Sequence, residues 1–341
     1  MFWFLLKQLF VTCDVLFQRF WCRNLGPVDE VGGSARNRTI IITGPTSGIG
    51  KSTAASLARR GGRVILACRS LSKGEALKSE LLQGQSENGN GGMQIEVRKL
   101  DVSDLDSVRQ FVQDWNSTGR PLHLLINNAG VFHMAGPRTV LPSRMELHMA
   151  TNHLGPFMLT LGLLPSLRKG GLESGDARVV NVSSYLHIMT AFDQRDPMLE
   201  GPGKYAAQLS YSQSKLAMNA FSVELQRRLP ATSAITVCSL HPGDAITDVA
   251  RSLPHFLQWS YKNLLGLILL TPDEGSRCTV YCATGSKVPE EAKQTFGYFA
   301  SNCRPTMPSH MSRSKEFAGW LWKWSAEITK LPIEWDLPAL G

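Results

Sequence analysis

A glycine-rich turn between an apolar strand and a helix is the feature that most constrains how this chain can fold. The run Arg38–Thr43 is short and β-branched, and a turn with the spacing GxxxGxG follows it directly. Glycine permits a sharp turn and a close backbone approach, while the first N–H groups of the next helix offer donors and a positive dipole end. In this context the spacing predicts a pyrophosphate site, and a turn that serves only tight packing is the alternative. The residues predicted to line the site are Gly44, Thr46, Ser47, Gly48, Ile49 and Gly50.

Strands and helices alternate from residue 38 onward. Further strands are predicted at 64–67, 94–100, 122–126, 178–182 and 234–240, and helices at 49–60, 72–82, 104–115, 144–167 and 205–228. Strands separated by helices imply a parallel sheet with helices on both faces, which requires continuous apolar strands such as VIL and LLI. The predicted fold class is therefore α/β, a doubly wound parallel sheet of about seven strands. Residues 38–330 are interpreted as one domain, followed by a tail at 331–341.

Charge and cysteine content narrow the classes of ligand. The 341-residue chain carries 36 Lys and Arg against 28 Asp and Glu, a formal net charge of +8, which suits an anionic cofactor or an anionic membrane surface. The basic residues are scattered, without helix-turn-helix or zinc-finger spacing, so nucleic-acid binding is not expected. The seven cysteines form no CxxC pair, and His133, His148, His153 and His187 lack metal-ligand spacing. No metal site is therefore expected, and a reducing compartment is the default.

The first 22 residues form a distinct segment that is rich in Phe, Leu and Trp. At the helical period, one side carries Phe2, Leu5, Leu6, Leu9, Cys13, Leu16, Phe17 and Phe20, and the other carries Lys7, Gln8, Asp14, Gln18 and Arg19. This pattern is typical of a helix lying in the membrane interface, and its charges interrupt the apolar run that a spanning helix needs. Packing on the protein's own core, contact with a partner, and targeting remain open. Residues 1–24 are thus a candidate membrane-association segment, and residues 25–37 are predicted to be a linker.

The end of the second predicted strand bears on the choice between NAD(H) and NADP(H). About 20 residues beyond the glycine turn, an NAD site places an acidic side chain on the ribose 2′-hydroxyl. Here the position holds Arg69, with Lys51 and Lys73 nearby in sequence. A guanidinium binds a 2′-phosphate in a fork, whereas a carboxylate would repel it. The sequence predicts NADP(H), and an ordinary surface arginine is the alternative.

A tyrosine and a lysine on one predicted helix suggest proton-transfer chemistry. Tyr211 and Lys215 are i and i+4, so they share a face. A neighbouring ammonium lowers the pKa of a phenol, as proton transfer coupled to hydride transfer needs, and the same lysine can bind a nicotinamide ribose. Upstream, the run Asn181–Ser184 ends a strand at the carboxyl edge of the sheet, where a hydroxyl can hold a substrate oxygen.

Taken together, seven motifs resemble the short-chain dehydrogenase/reductase family. They are TGPTSGIG at 43–50, LDVSD at 100–104, NNAG at 127–130, NHLGPF at 152–157, VVNVSS at 179–184, YSQSK at 211–215 and HPG at 241–243, in the family's order. The similarity covers residues 37–330 and implies a Rossmann-type sheet with a catalytic tetrad. The segments ACRS (67–70), GYFASNC (297–303) and LWKWS (321–325) are similar to the retinol-dehydrogenase-like branch, which is often membrane-associated and NADP(H)-linked.

The resemblance implies a role for each matched residue. Asn152 would support a proton-relay water, Ser184 would orient the substrate oxygen, Tyr211 would be the acid or base, and Lys215 would lower the pKa of Tyr211 and bind ribose. Ser184 rather than Ser183 fits the family register. Implied cofactor contacts are Asp101 and Val102 at the adenine, Asn128, Ala129 and Gly130 along the cofactor, and Pro242, Gly243 and Thr247 at the nicotinamide. A homodimer is a further expectation from the family.

Three features concern the substrate. Residues 185–204 form an insertion between Ser184 and Tyr211, in which Pro202 and Gly203 predict flexibility. Asp244 follows HPG, where many relatives carry an apolar residue. The apolar, aromatic run Asp248–Leu270 favours a lipophilic substrate, with a helix packed on the core as an equal alternative.

The sequence therefore predicts an NADP(H)-dependent oxidoreductase that transfers hydride to or from a carbonyl or alcohol of a retinoid-, steroid- or lipid-like compound. The alternatives are a non-catalytic NADP(H)-binding regulatory or developmental protein and a light-dependent reductase of a pigment precursor. Peripheral membrane contact through residues 1–22 predicts a membrane-associated protein that faces a reducing compartment, at the endoplasmic reticulum or an organelle envelope, with the chloroplast or mitochondrion as the alternative.

Overall fold

A parallel sheet forms the centre of the computed structural model, which describes residues 12–13, 15–22, 24–84, 92–133, 136–245 and 269–338. Seven strands are hydrogen-bonded in the order β3-β2-β1-β4-β5-β6-β7, and all six of these pairings are parallel. The strands are β1 Thr39–Thr43, β2 Arg63–Cys68, β3 Gln94–Lys99, β4 Leu124–Asn127, β5 Ala177–Val182, β6 Ile235–Leu240 and β7 Tyr298–Phe299. The predicted doubly wound α/β fold is confirmed.

The sheet has a switch point between β1 and β4. The chain builds β1, β2 and β3 outward in one direction and then returns to place β4 on the other side of β1. In sheets of this kind ligands bind beyond the carboxyl ends of the strands at such a reversal. The residues that follow Thr43 and Asn127 therefore face the position where a dinucleotide would lie.

Burial explains the strand sequences. Every residue of β1, β4 and β5 is buried, which matches their unbroken apolar and β-branched character. The edge strand β3 is only partly buried and carries Glu96, Arg98 and Lys99. Charged side chains of this kind protect the open edge of a sheet against pairing with another chain.

Helices cover both faces of the sheet. Those before the catalytic region are α1 Gly48–Arg59, α2 Leu71–Gln83 and α3 Leu105–Ser117. Those after it are α4 Leu147–Met149, α5 Gly155–Gly162, α6 Leu164–Ser174, α7 Ala207–Arg228, α8 Pro272–Thr284, α9 Val288–Gln294, α10 His310–Arg313 and α11 Lys315–Thr329. The last four helices and the short edge strand β7 lie beyond the predicted elements.

The single helix predicted over 144–167 is wrong, because this stretch is interrupted. A π-helical turn, Ala150–Leu154, separates α4 from α5. Pro156 has no N–H to donate to the carbonyl group four residues earlier, which belongs to Asn152, so the α-helical ladder opens there. Such π-turns are frequent at functional sites, and this one carries Asn152.

The segments on either side of the predicted domain pack against it. In the predicted linker, Val28, Val31 and Ala35 are buried, and the Arg60 guanidinium donates to the carbonyl groups of Val28 and Gly33. In the tail, the Trp322 indole donates to Asp336 at 2.8 Å. These contacts extend the packed unit beyond residues 38–330.

Candidate active site

Backbone geometry at the glycine turn is what makes it suitable for a pyrophosphate. Gly44 and Gly48 have φ of 63° and 53°, in the left-handed region that favours glycine. A Cβ atom on Gly50 would overlap the Gly44 carbonyl oxygen. Helix α1 begins after Ser47, whose side chain makes no capping hydrogen bond, so its first N–H groups face the turn without that partner.

The segment after β4 holds this turn in place. The Asn128 side-chain amide donates to the carbonyl oxygens of Thr43 and Gly44 at 3.0 and 3.1 Å. In return, the Thr43 hydroxyl accepts from the backbone N–H groups of Asn128 and Ala129 at 3.1 and 2.9 Å. Two predicted cofactor segments that are far apart in sequence therefore form one rigid unit at the switch point.

Two basic residues, Arg69 and Lys99, are joined by a hydrogen bond at the end of β2. Arg69 is exposed there, and the Lys99 ammonium at the end of β3 donates to its carbonyl oxygen at 2.6 Å. Lys51, which sequence proximity had suggested, instead pairs with Glu80 at 2.8 Å. Lys99 was missed because only the pairing of β2 with β3 brings it beside Arg69.

The four predicted tetrad residues come together between the carboxyl ends of β4 and β5. Tyr211 is partly exposed and lies beside the Ser184 side chain, which acts to lower the pKa of the phenol. The Lys215 ammonium is 5.7 Å from the centre of the Tyr211 ring and donates to the Val182 carbonyl oxygen at 2.8 Å. A Cβ atom on Gly130 would lie 3.2 Å from Asn152 Oδ1 and 3.3 Å from Lys215 Nζ.

Asn152 is fixed by the π-turn and by the loop after β4. Its Oδ1 atom accepts from the Val131 N–H at 2.8 Å, and its Nδ2 atom donates to the Val131 carbonyl oxygen at 3.0 Å and to Ser214 Oγ at 3.0 Å. Ser183 instead donates its hydroxyl to the Lys215 carbonyl oxygen at 3.1 Å. This leaves Ser184 as the serine that reaches Tyr211.

The pKa of Tyr211 is raised, whereas the sequence predicted that Lys215 would lower it. Burial raises the pKa of Tyr211 to about 12, the hydrogen bond with Ser184 opposes this, and the charge of Asp244 adds to it. Burial also lowers the pKa of Lys215 to about 8. The lysine is turned toward Val182, so the phenol is a proton donor over the neutral range in this geometry.

The remaining predicted cofactor residues are placed as follows. The Asp101 carboxylate accepts from Ser103, and Val102 is buried next to Gly155. Gly243 has φ of 79°, and Pro242 precedes it beyond the end of β6. Thr247 lies outside the described residues, as does most of the apolar run Asp248–Leu270.

Residues 15–22 pack against the same end of the sheet. The fully buried Gln18 side chain accepts from the Asp244 N–H at 2.8 Å and donates to the Asp244 carbonyl oxygen at 3.1 Å. Arg19 donates to the Leu269 carbonyl oxygen at 2.7 Å. The N-terminal segment therefore binds Asp244 and Leu269, which lie close to the two ends of the stretch 246–268 that is not described.

Part of the insertion at 185–204 packs against the C-terminal helix α11, while Pro202 and Gly203 are exposed. Phe192 is 5% exposed and packs against Phe317 and Trp320 of α11. The Lys204 ammonium lies 3.2 Å from Asp193 and 3.4 Å from Asp196. Aromatic contact with a C-terminal helix could not be foreseen from the turn residues alone.

Comparison with known proteins gives this geometry its context. A family model described as short chain dehydrogenase matches residues 38–196. The chain is 35% identical over 332 residues to the dehydrogenase/reductase SDR family member FEY of Arabidopsis thaliana, covering 94% of this chain and 86% of that protein. The chain belongs to the short-chain dehydrogenase/reductase family.

Within the family, the protein falls in the retinol-dehydrogenase-like branch. It is 38% identical over 298 residues to mouse retinol dehydrogenase 11, covering 87% of this chain and 88% of that protein. Human polyprenol dehydrogenase is 36% identical over 309 residues, with 90% and 89% covered. A solved structure of an uncharacterised protein from Mycobacterium paratuberculosis matches with a TM-score of 0.66 and 33% identity over 92% of this chain and 99% of that one. Members of this family are oxidoreductases. The glycine turn, the NNAG segment and the space that the missing side chain of Gly130 leaves beside Asn152 and Lys215 fit a nicotinamide dinucleotide.

Proposed function

We propose that this protein is an NADP(H)-dependent oxidoreductase that interconverts a carbonyl and an alcohol on a hydrophobic, retinoid-, steroid- or lipid-like compound. The observation that carries the proposal is the assembly of Tyr211, Ser184, Lys215 and Asn152, in which Tyr211 lies beside Ser184 and Lys215 while Lys215 and Asn152 face Gly130. A protein that only bound the cofactor would not require a phenol and a buried ammonium at this place. The retinol and polyprenol dehydrogenases among the relatives support the hydrophobic substrate class.

The chain's own residues account for the proton chemistry. A bound nicotinamide would supply or accept the hydride. Ser184 holds the substrate oxygen, and Tyr211 gives its phenolic proton to that oxygen during reduction. Lys215 Nζ and Asn152 Oδ1 both approach the position that a Cβ atom on Gly130 would occupy, where they would hold the nicotinamide ribose and a relay water. Glycine is needed at 130 because a side chain would fill this gap.

The proposal is tested by following NADPH consumption with the detergent-solubilised full chain and a panel of lipophilic aldehydes and ketones. We expect turnover with at least one hydrophobic compound and little with short polar analogues. Tight NADPH binding without turnover on any compound would instead support a regulatory role. Turnover that requires light and a bound pigment would support reduction of a pigment precursor.

Preference for NADP(H) rests on Arg69 and Lys99 at the ends of β2 and β3. Lys99 binds the backbone of Arg69, and a guanidinium and an ammonium at the ends of neighbouring strands favour a dianionic 2′-phosphate over a hydroxyl. We expect Arg69→Asp to weaken NADPH binding by roughly 100-fold and to leave NADH binding equal or tighter, measured by titrating both cofactors. Lys51→Asp is the matched control, because Lys51 is paired with Glu80 and should leave the ratio of affinities near that of the wild type. Equal loss of both cofactors in Arg69→Asp would contradict the NADP(H) assignment.

Association with a membrane rests on the outer face of residues 15–22. Leu16, Phe17, Phe20 and Trp21 are 50–53% exposed, while Gln18 and Cys22 on the opposite face are buried. No helix in the described part of the chain is long and apolar enough to cross a bilayer. An exposed apolar face on a helix fixed to the domain suits the interfacial zone of a membrane.

We expect deletion of residues 1–24 to abolish flotation of the protein with liposomes, because the apolar face is removed. The four-fold replacement of Leu16, Phe17, Phe20 and Trp21 by serine is the milder variant, since it keeps Gln18 and Arg19 in place. Flotation equal to that of the wild type in both variants would overturn the membrane proposal. The organelle, from the endoplasmic reticulum to the chloroplast or mitochondrion, and the homodimer stay predictions.

A further inference from the structure

A buried acid–histidine pair lies beside the tetrad without belonging to it. Glu146 and His148 are 1% and 0% exposed, and His148 Nδ1 is 2.8 Å from Glu146 Oε1. The other carboxylate oxygen accepts from the Met149 N–H at 2.9 Å. Burial acts to raise the pKa of Glu146, but the hydrogen bonds from His148 and Met149 outweigh it and lower the pKa. The carboxylate is therefore a charged acceptor with both oxygens engaged.

The carboxylate determines which nitrogen of His148 carries the proton. His148 Nε2 lies 3.1 Å from the backbone nitrogen of His133. A backbone N–H can only donate, so Nε2 must be the unprotonated nitrogen and Nδ1 must donate to Glu146. Glu146 thus fixes the tautomer that accepts from His133, in the way an outer carboxylate orients a histidine ligand.

The loop after β4 is consequently held at two points. Asn152 binds both the N–H and the carbonyl group of Val131, and His148 binds the N–H of His133. His148 and Asn152 are four residues apart, and both reach back to the same loop. Phe132 is the residue between the two anchored positions, so these hydrogen bonds restrain its backbone on both sides.

The side chain of Phe132 transmits this restraint to Tyr211. The two rings stack with centroids 4.2 Å apart and planes 25° from parallel. The His148 ring also meets the Tyr211 ring edge-on, with centroids 6.1 Å apart. Aromatic contacts of this kind favour one orientation of the phenol over its alternatives.

We infer that Glu146 and His148 are positioning residues, which hold the Tyr211 ring in its reactive orientation through His133 and Phe132 and through the edge-on contact of the His148 ring. The pair touches no reacting atom. The inference rests on the proposed function for the role of Tyr211 as the acid, but the contact chain itself can be tested without a substrate. Small displacements of a reacting group are costly, so the pair affects the rate through geometry alone.

The first test reads the Tyr211 ring directly by fluorine NMR of protein labelled with 3-fluorotyrosine. The chain has six tyrosines, and the Tyr211 resonance is identified by its absence in Tyr211→Phe. We expect His148→Leu to shift this resonance in the same direction as Phe132→Leu. His148→Gln, whose amide can both accept from His133 and donate to Glu146, should shift it less than His148→Leu does, since both variants lose the His148 ring and only His148→Leu loses the hydrogen bonds.

The contrary result is a Tyr211 resonance that moves in Phe132→Leu and stays at the wild-type position in His148→Leu. Glu146→Gln provides a second variant that keeps the volume of the side chain, should His148→Leu fail to fold. It replaces one acceptor oxygen by an NH2 group and should also shift the resonance. An unshifted resonance in Glu146→Gln would overturn the role of the carboxylate.

The second test is a double-mutant cycle on the rate. We expect His148→Leu and Phe132→Leu each to lower kcat by about tenfold with NADPH affinity unchanged, and the double variant to be no slower than the slower single one. Additive losses would overturn transmission through Phe132. If the wild type turns over none of the panel compounds, the proposed function fails, while the fluorine result still decides the positioning role.

Discussion

Replacing Tyr211 by phenylalanine should lower kcat by roughly 1,000-fold, which lies within the range that general acid catalysis contributes. The ring of the variant can still stack on Phe132, and Lys215 keeps its hydrogen bond to Val182, so the site should retain its shape. Only the proton is lost. NADPH affinity, measured by fluorescence titration beside the steady-state rates, should therefore stay within about twofold of the wild type.

Tyr281→Phe is the matched control for this experiment. Tyr281 lies on α8 and donates its hydroxyl to Glu291 at 2.8 Å, outside the tetrad. Its loss should affect stability and leave kcat near the wild-type value. A Tyr211→Phe enzyme with more than about a tenth of the wild-type kcat would show that another group supplies the proton.

The largest effect on stability is expected for Gly155→Ala. Gly155 begins α5 immediately after the π-turn, and a Cβ atom there would overlap the carbonyl oxygen of Val102. Neither backbone can yield without moving α5 or the segment after β3. We expect the free energy of unfolding to fall by about 3 kcal/mol, measured by urea denaturation. NADPH affinity should fall as well, because Val102 is predicted to contact the adenine.

Gly319→Ala tests whether the loss of stability in Gly155→Ala comes from the close approach of residue 155 to the Val102 carbonyl group. Gly319 lies in α11, and a Cβ atom there would meet nothing within 4 Å. Alanine favours a helix over glycine by up to about 1 kcal/mol, so this variant should be as stable as the wild type or more stable. A Gly155→Ala protein that matches it would show that α5 can move away from Val102 at little cost.

Local patterns in the sequence predicted most of the sheet and the ends of most elements. The β-branched, apolar strands can be recognised because each is buried on both faces, so no alternation obscures them. The prediction of one helix over 144–167 was wrong because the period of apolar residues gives no sign of the backbone hydrogen bond that Pro156 cannot donate. The terminal helices α8–α11 lie beyond the last element predicted from the sequence, although the LWKWS segment (321–325) falls within α11.

The candidate site was predicted where chemistry and short-range spacing coincide. Tyr211 and Lys215 share a helical face at fixed spacing, and the glycine turn is contiguous in sequence. Lys99 and Phe132 were missed because their relevance depends on strand pairing and on the path of a loop. Even the sign of the pKa shift at Tyr211 depended on burial and on the direction in which Lys215 points, not on the spacing of the two residues.

The sequence by itself determined the alternation of strands and helices, the phosphate turn and the identities of the tetrad, because each follows from local geometry and side-chain chemistry. The tertiary structure decided which distant groups support that tetrad. It seated Gln18 against Asp244 at the mouth of the site, and it placed the Glu146–His148 pair behind the loop that carries Phe132. Such contacts join residues that no periodicity connects, since they form only when packing of the whole domain fixes the distance between their backbones.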